Sequence, residues 1–188
     1  MQDLKPAILL VLVLTVLCGG IYPALVTGAA QALFPEQAAG SLIRDQRGQV
    51  VGSRLIGQPF ADPRHFWPRP SATAPFPYNP EASAGSNLGP NNPAYLRLVA
   101  ARVEALRQAG VTGAIPADLV QASASGLDPH LSVAAALAQV PRVAKARGLS
   151  EDAVRQLVTA HTIDRQWGFL GEPRVTVLLL NLALDGRQ

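Results

Sequence analysis

Three polar, glycine-rich pieces hold most of the side chains in this chain that could bind or react. They are HFWPRPSA (65–72), SAGSNLGP (83–90) and ASASGLDPH (122–130). In the third, Ser123, Ser125 and the amide of Gly126 can form an anion-binding nest, and Asp128 can set a carboxylate at an ion entrance. Arg69 can pair with a partner's carboxylate. Arg69, Asn87 and Asp128 are thus the candidates for facing a partner or an ion. The same residue types also make turns by bonding their own backbone, and both readings stand. Ser125 with His130 is the pair from which a serine hydrolase would be built. His65 and His130 otherwise read as loop or capping residues. Arg142, Lys145 and Arg147 read as a solvated helix face, with phosphate binding as the alternative.

Much chemistry is excluded. There is no G-x-x-x-x-G-K-[ST] loop, and neither lysine, Lys5 or Lys145, follows a glycine-rich turn. There is no G-x-G-x-x-G, G-x-S-x-G or H-E-x-x-H, and no D-K-T-G of the phosphorylated pumps. One cysteine and three scattered histidines support neither a disulfide framework nor a metal cluster. No catalytic residue and no metal site is therefore assigned. The net charge of +3 comes from 14 Arg and 2 Lys interspersed with 13 acids. That is no stripe for nucleic acid.

The elements that must carry these pieces begin with an uncharged stretch, residues 7–30. As a helix it would be roughly 36 Å long, enough to cross a hydrocarbon core of about 30 Å. A cleaved signal peptide is the rival, with an A-x-A-like site at Ala30-Gln31-Ala32. A short tail (1–6) holding Lys5 precedes the span, and no Lys or Arg follows until Arg44. The positive-inside rule places the N-terminus in the cytoplasm and residues 31–188 outside.

Residues 41–56 suggest a hairpin turning at Asp45-Gln46-Arg47-Gly48. Residues 57–93 hold nine of the 16 prolines and five of the ten aromatics. Disordered segments are poor in aromatics, so this is an ordered, irregular loop pinned by its rings. A helix is expected over 93–109, closed by Gly110, and Ser132 and Ser150 can cap two more. The first of these should break near Pro141. Residues 174–180 read as a buried strand, although LLLNLAL can also be helical. The class is α+β: one membrane helix, then a single domain (31–188) with a small sheet and about three helices.

Taken together, these pieces resemble the C subunit of the Kdp-type potassium-transporting ATPase of bacteria. The likeness runs through GSLI (40–43), LIGQ (55–58), RPSAT (69–73), YNP (78–80), GSNL (85–88), ASASGLD (122–128), PRVAKARGL (141–149) and LNLALD (180–185). The chain departs from the family pattern at Ala84, Gln121 and Thr176.

The resemblance implies a non-catalytic, single-pass subunit in the bacterial inner membrane. Its partners would be a channel-like subunit that carries K⁺, a P-type ATPase subunit and a small fourth subunit. No cofactor would be tightly bound, and K⁺ would be the transported ion. The family has been assigned a catalytic-chaperone role, raising the ATPase subunit's affinity for ATP through transient nucleotide contact. That contact falls on Gln139 here, and the Ser123–Ser125–Gly126 turn would join it. A domain outside the cell meets little ATP, however. The alternative is a cap over the outer mouth of the channel subunit, which stabilises the complex or gathers K⁺.

Overall fold

The computed structural model describes residues 3–45 and 47–186. The chain divides into two compact units, Met1–Leu42 and Ile43–Gln188.

The first unit is dominated by one helix, α1 (Leu4–Leu33), apolar and long enough to cross a membrane. It is longer than the expected 7–30, because Pro6 falls in the first turn, where no intrahelical donor is needed. Residues 1 and 2 of the expected tail lie outside the described residues. The helix widens to a π-helical turn at Leu17–Ile21. Two glycines sit in this turn, and Pro23, just after it, removes a donor to the carbonyl of residue 19. No side chain of α1 is buried in the chain, as suits a helix whose solvent is lipid. A short helix, α2 (Pro35–Ala38), follows.

The second unit carries two small sheets and several helices, a mixed α+β fold. Strands β1 (Leu42–Arg44) and β2 (Val50–Ser53) form the expected hairpin. The Asp45 carboxylate accepts from the amides of Arg47 and Gln49 at its turn; Gln46 lies outside the described residues. The other sheet has the order β3–β5–β4, all antiparallel: β3 (His130–Ser132), β4 (Thr162–Ile163) and central β5 (Arg174–Thr176). Two sheets therefore stand where one was expected.

Helix α3 (Pro93–Gln108) starts on Asn92, whose side chain accepts from the Ala94 amide. It ends in a Schellman motif: Val111 N–H reaches Leu106 C=O and Gly110 N–H reaches Arg107 C=O. Gly110 supplies the left-handed φ of +92° that this motif needs. Ser132 and Ser150 cap α4 (Val133–Arg147) and α5 (Glu151–Ala160), as expected.

Helix α4 does not break at Pro141. The lost hydrogen bond is outweighed by burial of Val140, Val143 and Ala144 on either side, in one core with Val154 and Val158 of α5. The strand expected over 174–180 is split. β5 ends at Thr176, and the leucine-rich remainder forms α6 (Val177–Leu184), where leucines, unbranched at Cβ, favour helix over strand.

The loop 57–93 holds a single 3₁₀ turn, Pro80–Ala82, among the described residues. It is ordered all the same, with Phe66 wholly buried and Tyr78 nearly so. Phe76 remains exposed.

Candidate functional site

The backbone of residues 62–67 turns at residues 63–65, where His65 N–H donates to Asp62 C=O at 3.0 Å, and it pairs with no strand. Backbone carbonyls seek donors, and here side chains supply them at six successive residues, of which Phe66 is buried and Pro63 and Arg64 are exposed. Asp62 C=O accepts from the Trp67 indole (3.1 Å). Pro63 and His65 C=O accept from the Arg142 guanidinium (2.6 and 2.9 Å). Arg64 C=O accepts from Arg147 Nε (2.6 Å). Phe66 C=O accepts from Asn181 Nδ2 (3.0 Å) and Trp67 C=O from Gln139 Nε2 (3.1 Å). The two amides also accept: Phe66 N–H donates to Asn181 Oδ1 and Trp67 N–H to Gln139 Oε1, both at 2.8 Å. Each amide side chain thus pairs with one loop residue as a neighbouring strand would. One amide comes from α4 and the other from α6.

Gln139 is 0 % exposed. Its NH₂ also donates to Ala135 C=O, and its oxygen also accepts from Arg142 Nη2. All four of its hydrogen-bonding places are filled. Any nucleotide reaching it would have to displace Trp67.

The expected solvated face of Arg142, Lys145 and Arg147 is corrected by these contacts. Arg142 is 5 % exposed and its guanidinium stacks 4.4 Å from the centre of the Trp67 ring. Burial lowers its pKa to about 10, against the opposing pull of Asp62, so it stays charged at neutral pH. Arg147 is half-buried and also binds Leu184 C=O and Asp185. Of the three, Lys145 alone is exposed. Helical spacing showed the charges but not the carbonyls waiting opposite them. His65 reaches the same Asp185 at 3.1 Å. Burial pushes the Asp185 carboxyl up, but Arg147 and His65 together hold it below the usual carboxylate range.

A second network joins the remaining candidates. Arg69 Nη1 donates to Asp128 Oδ2 at 2.8 Å, with about a quarter of each side chain exposed. Asp128 also accepts from the His130 amide (2.9 Å). Burial raises the Asp128 carboxyl, and His130 and Arg69 more than reverse this, leaving it below its ordinary value. The Tyr78 hydroxyl donates to Arg69 C=O. Ser71 Oγ donates to Gly126 C=O (2.7 Å) and accepts from Tyr78 N–H (2.9 Å). Ala84 N–H and the Ser83 hydroxyl both donate to Ser125 C=O (3.0 Å each).

The two serines of the turn are used locally. Ser123 Oγ accepts from Gly126 N–H and Ser125 Oγ from Leu127 N–H. The Gly126 amide is therefore engaged within the turn. Among the described residues no side-chain base is hydrogen-bonded to Ser125. Gly126 has φ +68°, and a Cβ there would lie 2.6 Å from Thr73 Cγ2 and 2.7 Å from Ala84 C=O. Asn87 is exposed, with φ +51°, and takes no part in either network. The structure thus brings Arg69, Asp128, Ser123, Ser125 and Gly126 onto one stitched surface, apart from the enclosed Gln139.

Asn181 and Arg142 were not picked out by the sequence as structural ties. Their signal was a lone polar side chain among apolar neighbours, in LLLNLAL and VPRVA, which demands buried partners.

A family model described as KdpC, the c chain of K⁺-transporting ATPases, matches residues 4–186. A protein of Geobacter sulfurreducens named potassium-transporting ATPase KdpC subunit is 68 % identical, over 98 % of each chain. Proteins of the same name from Sorangium cellulosum and Methylococcus capsulatus are 64 % and 61 % identical, over at least 96 % of each chain.

Proposed function

We infer the role of this chain from the family to which it belongs, KdpC, the c chain of K⁺-transporting ATPases. It serves as a non-catalytic accessory subunit of a potassium-importing complex, needed for assembly. Its partners are the channel-like subunit that carries K⁺ and the ATPase subunit. One membrane helix anchors it, and its domain sits outside, as a cap against the channel subunit.

The observation that carries the cap over a nucleotide-binding chaperone is the closure of Gln139. Every hydrogen-bonding place of that side chain is spent on Trp67, Ala135 and Arg142. An effect on ATP affinity would then be passed on through contacts between subunits. The Arg69–Asp128 surface, partly open to solvent, is the face offered to a partner or to K⁺.

Two measurements on the purified complex test this. Omitting the chain should abolish stable assembly and ATP-driven K⁺ uptake, and unchanged assembly and uptake would end the proposal. An azido-ATP probe should label the ATPase subunit and not this chain. Labelling at Gln139 would restore direct nucleotide contact.

A further inference from the structure

Between β4 and β5 the chain makes a tight hairpin. Gln166 and Leu170 exchange both backbone hydrogen bonds at 2.9 Å. The three residues between them project Trp167, 77 % exposed, and Phe169, 68 % exposed, with ring centres 6.5 Å apart. Trp167 has φ +55°, which a bulky residue seldom adopts. Such strain persists only where the surrounding geometry imposes it. Among the described residues the indole N–H has no partner. Below the rings a polar collar closes the hairpin, with Arg165 Nη2 on Glu172 at 2.7 Å.

We propose that this tip seats in the interfacial layer of a lipid bilayer. Three observations choose lipid over a protein groove. The domain follows the membrane span after only residues 34–42, at most about 32 Å of chain, so it works at a bilayer surface. Two aromatic rings carry roughly 300–500 Å², short of the roughly 800 Å² per partner of a stable protein interface. A domain already tethered to the membrane needs no more than such a small contact. The tip is also amphipathic along its own axis: apolar rings, a free indole N–H and then a charged pair. That is the pattern by which tryptophan settles at headgroup depth.

The test uses the full chain in phosphatidylcholine vesicles brominated on the upper acyl carbons. The chain has two tryptophans, Trp67 and Trp167, so the difference between wild type and Trp167→Phe isolates Trp167. Its emission should be quenched roughly two-fold relative to unbrominated vesicles, as for an interfacial indole. Resistance of the chain to alkaline extraction confirms that the anchor is inserted. Inserted chain with unquenched Trp167 overturns the proposal. In native membranes holding the assembled complex, a photoreactive phenylalanine at 167 should form lipid adducts. A crosslink to another subunit would overturn the proposal in favour of a protein partner.

Discussion

The Gln139 side chain and the Trp67 backbone form a closed pair, each donating to and accepting from the other, at 2.8 and 3.1 Å. The residues are 72 apart in sequence. With the matching pair of Asn181 and Phe66, this ties the loop segment to two helices without a strand partner. Gln139 is thereby a structural tie.

Replacing it by leucine should be costly. Gln139→Leu leaves Trp67 N–H, Trp67 C=O and one Arg142 N–H buried without partners, a loss of about 2–4 kcal/mol. Gln139→Glu keeps both acceptor contacts but turns its second oxygen on Trp67 C=O and Ala135 C=O, acceptor against acceptor, and should also lose stability. Urea unfolding of the detergent-solubilised chain would measure both. Stability unchanged in both variants would contradict the tie.

Arg142 binds Pro63 C=O, His65 C=O and Gln139 while stacking on Trp67. Lysine keeps the charge but loses the fork and the stacking plane. Arg142→Lys should cost about 2 kcal/mol, seen as a lower midpoint in the same unfolding series. A midpoint equal to wild type would mean that charge alone matters.

Asp128 gives a pH signature. Its carboxyl is held below its ordinary value in the folded chain. Its contribution is therefore complete above that value and is lost as pH falls through the folded one. Asp128→Asn should destabilise by about 1–2 kcal/mol at neutral pH, the partly exposed pair being screened. The gap from wild type should close below pH ~4. Thermal melts at several pH values would show this. A gap independent of pH would place the effect in packing.

Gly126 is fixed by both conformation and crowding. Gly126→Ala must strain a left-handed residue and push Thr73 and Ala84 away, at a cost of about 2–4 kcal/mol. Limited proteolysis should then cut the 69–85 segment first. An equally resistant variant would show that the two loops are not stitched there.

Local signals were legible in the sequence. The uncharged stretch gave α1, Ser132 and Ser150 gave their caps, and Gly110 gave a helix end. The aromatics gave an ordered loop, through Phe66 and Tyr78. What was not legible depends on distance. Arg142 and Arg147 look solvated by spacing, because the carbonyls they satisfy lie 77–83 residues earlier. Pro141 looks like a break because its rescue is the packing of its neighbours. The change from strand to helix after Thr176 depends on where the three-stranded sheet ends. The pairing of Arg69 with Asp128 spans 59 residues; the residue types suggested a partner for each, and only the fold supplied it from within the chain.

The sidedness of the domain bears most directly on the cap. With Cys18→Ser removing the native thiol, a single cysteine at exposed Ser86 is treated in intact cells with a membrane-impermeant thiol reagent. A single cysteine at Asp3 serves as the opposite-side control. The cap predicts labelling at 86 and none at 3. Labelling at 3 and none at 86 would place the domain in the cytoplasm beside ATP, and contradict it.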